Sequence, residues 1–159
     1  MITHAQTNLF LDLGTKTGWA ICGADNHIIS GVMNFHPRYF EVGEMHYLRF
    51  KRCLSEIKKT VGSIDAVYFE EVRRHVGTNA AHIYGDLLSI LTAWCEHHQI
   101  PYEGIPVGTI KKATTGKGNA SKVEMIKAMR AKGHAPEDDN EADALAILYL
   151  KKEGGMHVQ

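Results

Sequence analysis

Three carboxylates stand in separate stretches of the chain, each in a setting that suits metal-assisted phosphoryl chemistry. Asp12 follows the apolar run Leu9-Phe10-Leu11 and opens Asp12-Leu13-Gly14-Thr15-Lys16-Thr17-Gly18. Glu70 ends a second apolar run, Ala66-Val67-Tyr68-Phe69, and Asp143 lies at the start of an apolar helix in Ala142-Asp143-Ala144-Leu145-Ala146-Ile147. Hard oxygen donors on rigid elements are what Mg²⁺ needs. Two such ions clamp the attacking and leaving oxygens of a phosphoryl displacement. An acid between Leu11 and Leu13 has to be paired or to hold a metal, because an isolated buried charge is costly; capping the Gly14 turn is its competing role. Glu70 and Glu71 are strand neighbours facing opposite sides, so one alone shares a face with Asp12. Asp143 also suits the dipole of a first helical turn. Asp139 and Asn140, four and three residues earlier, share its helix face, whereas Glu141 points away and has capping-box spacing with Asp138.

Basic residues cluster in two places. Ile110-Lys111-Lys112-Ala113-Thr114-Thr115-Gly116-Lys117-Gly118-Asn119-Ala120-Ser121-Lys122 sets Lys111, Lys112, Lys117 and Lys122 around two glycines before a helix N-terminus, which suits a phosphate backbone. It is not a P-loop, since Gly-Lys-Gly lacks the required spacing and no strand feeds directly into it. Arg73-Arg74-His75 follows the Glu70 strand at once. A solvated, lysine-rich surface is the competing reading of both.

These side chains need strands and helices to hold them. Residues 7–13 read as a strand, Thr15 to Gly18 as its turn, Trp19 to Cys22 as the return strand and Ile28 to Phe35 as a third, an antiparallel meander. Helical spacing of Met45, Leu48, Phe50, Leu54 and Ile57 marks 44–60 as a helix, broken by Gly62-Ser63. A strand at 65–70 is apolar throughout, so it is buried on both faces. A helix at 79–98, a strand from Tyr102 to Val107, a short helical piece from Gly108 to Ala113 and a loop from Thr114 to Asn119 come next. Helices from Ser121 to Lys132 and over 140–152 close the chain. The order describes an α/β domain with a mixed five-stranded sheet flanked by helices, and it fits the ribonuclease-H-like fold. One domain spans 1–159, with 1–6 and 154–159 as flexible tails.

Composition narrows the classes. Hydrophobic residues make up 44% and the formal net charge is zero, so any nucleic-acid affinity has to come from a local basic surface. Cys22, Cys53 and Cys95 are odd in number and far apart, which argues against zinc and disulfide frameworks and for reduced thiols in the cytoplasm. The first residues lack the pattern of a signal peptide. No apolar run approaches the roughly 20 residues of a membrane span. The ten histidines are scattered without ligand-pair spacing.

From Leu9 to about Leu150 the chain resembles the RuvC Holliday-junction resolvases. The resemblance rests on D-x-G-x-x-x-G-x-A at Asp12 to Ala20, strand-E-x-V at Glu70 to Val72, I-K-x-x-x-x-G-x-G-x-A-x-K at Ile110 to Lys122, and A-D-A-L-A-I at Ala142 to Ile147. It implies a Mg²⁺-dependent endonuclease, with Mn²⁺ substituting and two ions per site, that cuts branched DNA as a homodimer; a junction-remodelling motor is a candidate helper. It further implies that Asp12, Glu70 and Asp143 are catalytic metal ligands and that Lys111 and Lys122 lie near the scissile phosphate. The family's fourth ligand, Asp or His, falls on Asn140, a neutral donor, so Asp139 or Glu141 is a candidate substitute. Arg73 stands where relatives carry a base-wedging aromatic. Helix 79–98 matches the dimerising helix, with Gly85 permitting close approach and an apolar content beyond what one core face needs.

Three other readings compete. A junction-binding module with weak catalysis rests on Asn140. An actin- or sugar-kinase-type ATPase shares Asp12-Leu13-Gly14-Thr15 but needs two such domains. A sister resolvase-like family in RNA processing shares the D-x-G start, while the lysine loop and Ala142-Asp143-Ala144-Leu145 favour the RuvC type.

Overall fold

A computed structural model describes residues 5–36, 45–75 and 77–154. The chain runs β1 (Asn8–Asp12), β2 (Lys16–Cys22), β3 (Ile28–Asn34), α1 (Met45–Val61), β4 (Ala66–Glu71), α2 (Thr78–His97), β5 (Tyr102–Pro106), α3 (Val107–Thr115), α4 (Lys122–Ala131) and α5 (Asp139–Gly154). The sheet order is β3-β2-β1-β4-β5, antiparallel through the first three strands and parallel from β1 through β4 to β5. This is the mixed five-stranded sheet expected from the sequence. Residues 1–4 and 155–159, most of the expected tails, lie outside the described residues, as does Glu44 at the expected start of the first helix.

Strand periodicity assigns the two sides of the sheet. Leu9, Leu11, Val67 and Phe69 pack with Phe50, Leu54, Leu87 and Leu91 of α1 and α2. Phe10 and Tyr68 point the other way and pack with Ile110, Met125, Met129 and the α5 residues Ala142, Leu145 and Leu148. Counting on by two puts Asp12 and Glu70 on the second side, under α5. Small residues Ala142, Ala144 and Ala146, all fully buried, let α5 lie close against the sheet.

Two of the element limits that differ from the sequence reading bear on the site. Thr15 to Gly18 is not the first turn. β2 already begins at Lys16, because the Thr17 hydroxyl closes the loop by donating to the Gly14 carbonyl at 2.7 Å and accepting from the Gly14 N–H at 3.3 Å. α3 runs through Thr115 rather than stopping at Ala113. The Thr114 and Thr115 hydroxyls donate back to the Ile110 and Lys111 carbonyls, and Gly116 ends the helix in the left-handed region at φ 83°.

Candidate metal centre

Each carboxylate reaches the site from a different element. β1 and β4 pair in parallel as far as Leu11↔Phe69, so the next residues, Asp12 and Glu70, emerge side by side on the α5 face. α5 crosses that face and lowers Asp143 onto them. One ligand oxygen from each of Asp12, Glu70 and Asp143 lies within 4.8 Å of the others, and among the described residues no other group of three His, Cys, Asp or Glu side chains gathers this way. Glu71 points to the opposite side and pairs with Arg73 at 3.3 Å.

The close seat of α5 depends on Gly18. This residue sits opposite Asp12 in the β1–β2 register. A Cβ built on it would overlap the Asn140 carbonyl and come within 2.8 Å of the Glu141 amide nitrogen. Thus the first turn of α5 rests directly on the β2 backbone, three residues before Asp143. Ser30 on β3 adds a lateral tie, donating to the Glu141 carboxylate at 2.8 Å, while the other Glu141 oxygen accepts the Glu137 N–H at 3.0 Å. Asp138 caps α5 by accepting the Glu141 N–H at 2.9 Å. Glu141 therefore faces β3, away from the three acids, as its helix position implied.

Burial of like charges makes the metal-free centre electrostatically unfavourable. Burial first, then Glu70, Asp143 and Asp139, push the Asp12 carboxyl well above its usual range. Asp143 is pushed up to about 8, again by burial first and then by Glu70 and Asp139, against the opposing pull of Lys111 and Lys122. Asp12 and Asp143, each pushed up by burial and by neighbouring acids, form with Glu70 a donor set suited to a hard divalent ion. One measurement follows from the sign of these shifts. An unfolded Asp titrates at about 3.9, so between that value and about 8 the fold retains a proton on Asp143 that the unfolded chain has lost. The metal-free protein should lose stability as pH rises through this window. Mg²⁺ on the same oxygens relieves the repulsion, so thermal melts should show a larger Mg²⁺-induced rise at about pH 8 than at about pH 6. An equal rise at both would place the ion elsewhere.

The remaining predicted site residues divide. Lys111 and Lys122 are near enough to Asp143 for their charges to oppose the upward shift of its carboxyl. Lys122 is 82% exposed at its side chain and pairs with Asp139 at 3.6 Å. Asp139 thus stands at the rim beside a cation, and the Asn140 amide donates to Asp138 at 3.2 Å. Lys112 is exposed on α3, Arg74 is exposed after β4, and Arg73 is held beside Glu71. Lys117 is matched by Glu124 at 3.3 Å. Glu124 also accepts the Ser121 N–H at 2.7 Å while the Ser121 hydroxyl accepts the Glu124 N–H, a capping box that occupies part of the α4 N-terminus. The glycine loop is consequently less open to phosphate than its sequence implied. Two residues the sequence reading did not assign a role bear on the site. Gly18 was visible in its motif but not its contact with Asn140. Tyr84, on α2, hydrogen-bonds the backbone beside Glu70, and no side-chain pattern announces such a role.

Neither a family model nor a curated protein matches this sequence. Solved structures do. Thermus thermophilus RuvC in complex with a Holliday junction substrate superposes with a TM-score of 0.71 at 21% identity, covering 94% of this chain and 96% of that one. The chain has the fold of the RuvC resolvases. A second T. thermophilus RuvC structure gives a TM-score of 0.67 at 21% identity over 94% and 97% of the two chains. The yeast mitochondrial Holliday junction resolvase Ydc2 gives 0.60 at 15% identity over 92% and 78%. The ribonuclease-H-like architecture read from the order of elements is thereby established. Among the described residues no helix is long and apolar enough to cross a membrane.

Proposed function

We propose that this chain is a metal-dependent endonuclease that cuts DNA at four-way or otherwise branched junctions by phosphodiester hydrolysis. The convergence of Asp12, Glu70 and Asp143 at one end of the β1–β4 pair carries this reading. The similarity to RuvC bound to a Holliday junction and to Ydc2 supports the choice of branched DNA. The three acids would hold Mg²⁺ or Mn²⁺, two ions per site, and ions bound there supply Lewis-acid charge at the scissile phosphate. The chain's own part is to fix the ligands. Asp12 and Glu70 sit on paired strands and Asp143 on a helix seated against β2. Lys111, half-buried midway along α3, and Lys122, on its long exposed stem, bring positive charge to the rim where phosphate arrives. Asp139 or Asn140 would complete the shell by turning from its present partner. Arg73, Arg74 and Lys112 extend the DNA-facing surface.

A homodimer through α2 suits a substrate with two symmetry-related strands to cut. The support for it is not an apolar surplus. Tyr84, Leu87, Leu91, Trp94 and Cys95 are buried in the chain's own core, and Ile83, Leu88 and Ile90 pack on it. The outward face instead carries Gly85, Ser89 and Ala93, which allow close helix approach. All three cysteines are free thiols, which fits a reducing cytoplasm. A junction-remodelling motor remains a proposed helper. A weakly catalytic junction binder is the second reading, favoured by the Asn140 amide being turned to Asp138.

Purified protein with Mg²⁺ on end-labelled four-way, flap and linear DNA tests the proposal. Paired nicks confined to the branch point are expected, and no cutting of any branched substrate would overturn it. Binding should depend on local cations. Lys122→Ala should reduce the salt slope of junction affinity by about one unit. Lys117→Ala should reduce it by less, because Glu124 already neutralises that ammonium. Unchanged slopes in both variants would remove this loop from the DNA-binding surface.

A further inference from the structure

We infer that Tyr84 is a positioning residue for Glu70, and that through it α2 sets the geometry of the carboxylate centre. The inference rests on the metal-site reading above. β1 and β4 part after Leu11↔Phe69, one residue before each presents its acid. Beyond that point the β4 backbone has no β1 partner. Val67 gives its N–H to Pro101 on the β5 side, so by the two-residue strand period the Glu70 carbonyl and the Val72 N–H lie on the opposite, β1-facing edge. The Tyr84 hydroxyl fills the gap. It donates to the Glu70 carbonyl at 2.9 Å and accepts the Val72 N–H at 3.1 Å.

Backbone groups two residues apart on a strand point to the same side, so a single hydroxyl bridges both as a further strand residue would. Peptide groups are planar. Holding the Glu70 carbonyl therefore fixes the plane that follows the Glu70 Cα, and with it the direction in which the side chain leaves the strand. Tyr84 is itself rigid. It is 7% exposed and packs in the core shared with Leu87 and Leu91 of its own helix. Its ring also lies 5.0 Å from the ring of His75, in the segment that carries Arg73 and Arg74. One α2 side chain thus touches both the carboxylate strand and the basic segment after it. A partner hydrogen-bonded to a ligating side chain is worth about 10- to 100-fold in metal affinity; Tyr84 holds the Glu70 main chain and not its carboxylate, which puts its effect at the lower end of that range.

Direct Mn²⁺ binding to the full chain without DNA, followed by electron paramagnetic resonance, tests this. Tyr84→Phe keeps the ring and removes the hydroxyl, and should weaken Mn²⁺ about 10-fold. Ser55→Ala is the matched control. Ser55 accepts the Trp94 Nε1–H at 3.2 Å, and Trp94 lies ten residues along the same helix, about 15 Å by helical rise. That variant should lower the melting midpoint by a similar few degrees and leave Mn²⁺ affinity unchanged. Equal loss of affinity in both variants, or none in Tyr84→Phe, would overturn the positioning role while leaving the metal site in place. A wild-type chain that neither binds Mn²⁺ nor cuts branched DNA would overturn both readings. Should Tyr84→Phe fail to fold, the wild-type protein decides. Coupling is reciprocal, so Mg²⁺ on Glu70 should slow hydrogen exchange at the Val72 amide. Unchanged exchange there would refute the link.

Discussion

Asp12→Asn should leave a protein that melts higher, binds branched DNA at least as tightly and no longer cuts it. The opposed effects have one cause. Asp12 is buried against Glu70 and Asp143, and its carboxyl is pushed up by loss of water and by their charges. An amide of the same shape has no charge to desolvate and none to repel, so the metal-free fold gains stability. Removing a negative charge beside the phosphate also favours DNA. The same change withdraws an anionic oxygen from the centre. Lewis-acid stabilisation is worth several kcal/mol, and at about 1.4 kcal/mol per tenfold its loss should slow cleavage by about 10³-fold or more. The readouts are the melting midpoint without metal, junction affinity, and single-turnover cleavage in Mg²⁺. Cleavage near the wild-type rate would remove Asp12 from the centre. A lower melting midpoint would mean that Asp12 is held by favourable partners and is not strained by like charges.

The burial of these acids explains why their gathering was readable in the sequence. An acid between Leu11 and Leu13 and another after Phe69 break the burial pattern of their strands, and breaks of that kind mark chemistry. Their common face followed from the two-residue strand period. Asp143 followed from an acid set directly among the apolar residues Ala142, Ala144 and Leu145 of its helix. What could not be read were contacts made through the backbone or set by a partner distant in sequence. The start of β2 at Lys16 depends on the Thr17 hydroxyl folding back on Gly14. The muting of Lys117 depends on Glu124, seven residues on and across a loop. The apolar content of α2 looked like a surplus because sequence alone does not show how much of the α1 and sheet surface the helix has to cover. Tyr84 escaped notice because its partners are main-chain groups, which carry no residue identity. Asn140 was singled out as a departure among candidate ligands, while its carbonyl, the atom that meets Gly18, is one that every residue has.

Gly18→Ala should be the most damaging glycine-to-alanine change among the described residues, and Gly14→Ala, four residues earlier in the same motif, should be nearly silent. A Cβ at Gly14 would meet the Lys16 carbonyl at 3.5 Å, an ordinary contact. A Cβ at Gly18 would overlap the Asn140 carbonyl and crowd the Glu141 amide, and those atoms are backbone, with no rotamer to escape into. Relief requires moving one of two elements. β2 is fixed between β1 and β3 by continuous pairing on both edges. The first turn of α5 is the freer partner, tied laterally by Ser30 and by its cap on Asp138, so α5 should lift at that end. Asp143 lies three residues along and lifts with it, out of reach of Asp12 and Glu70. Overpacking of this kind costs about 1–3 kcal/mol of stability. A displacement of about 1 Å in a reacting group costs about 10²-fold in rate, so activity should fall further than stability does. Melting, Mn²⁺ affinity and single-turnover cleavage on the two alanine variants read this out. Loss of affinity and cleavage in Gly18→Ala at a temperature where it remains folded would confirm that the glycine exists to seat Asp143. A folded Gly18→Ala protein that binds Mn²⁺ and cuts like wild type would show that α5 can slide on the sheet without moving its acid, and the docking of α5 would then have no part in building the centre.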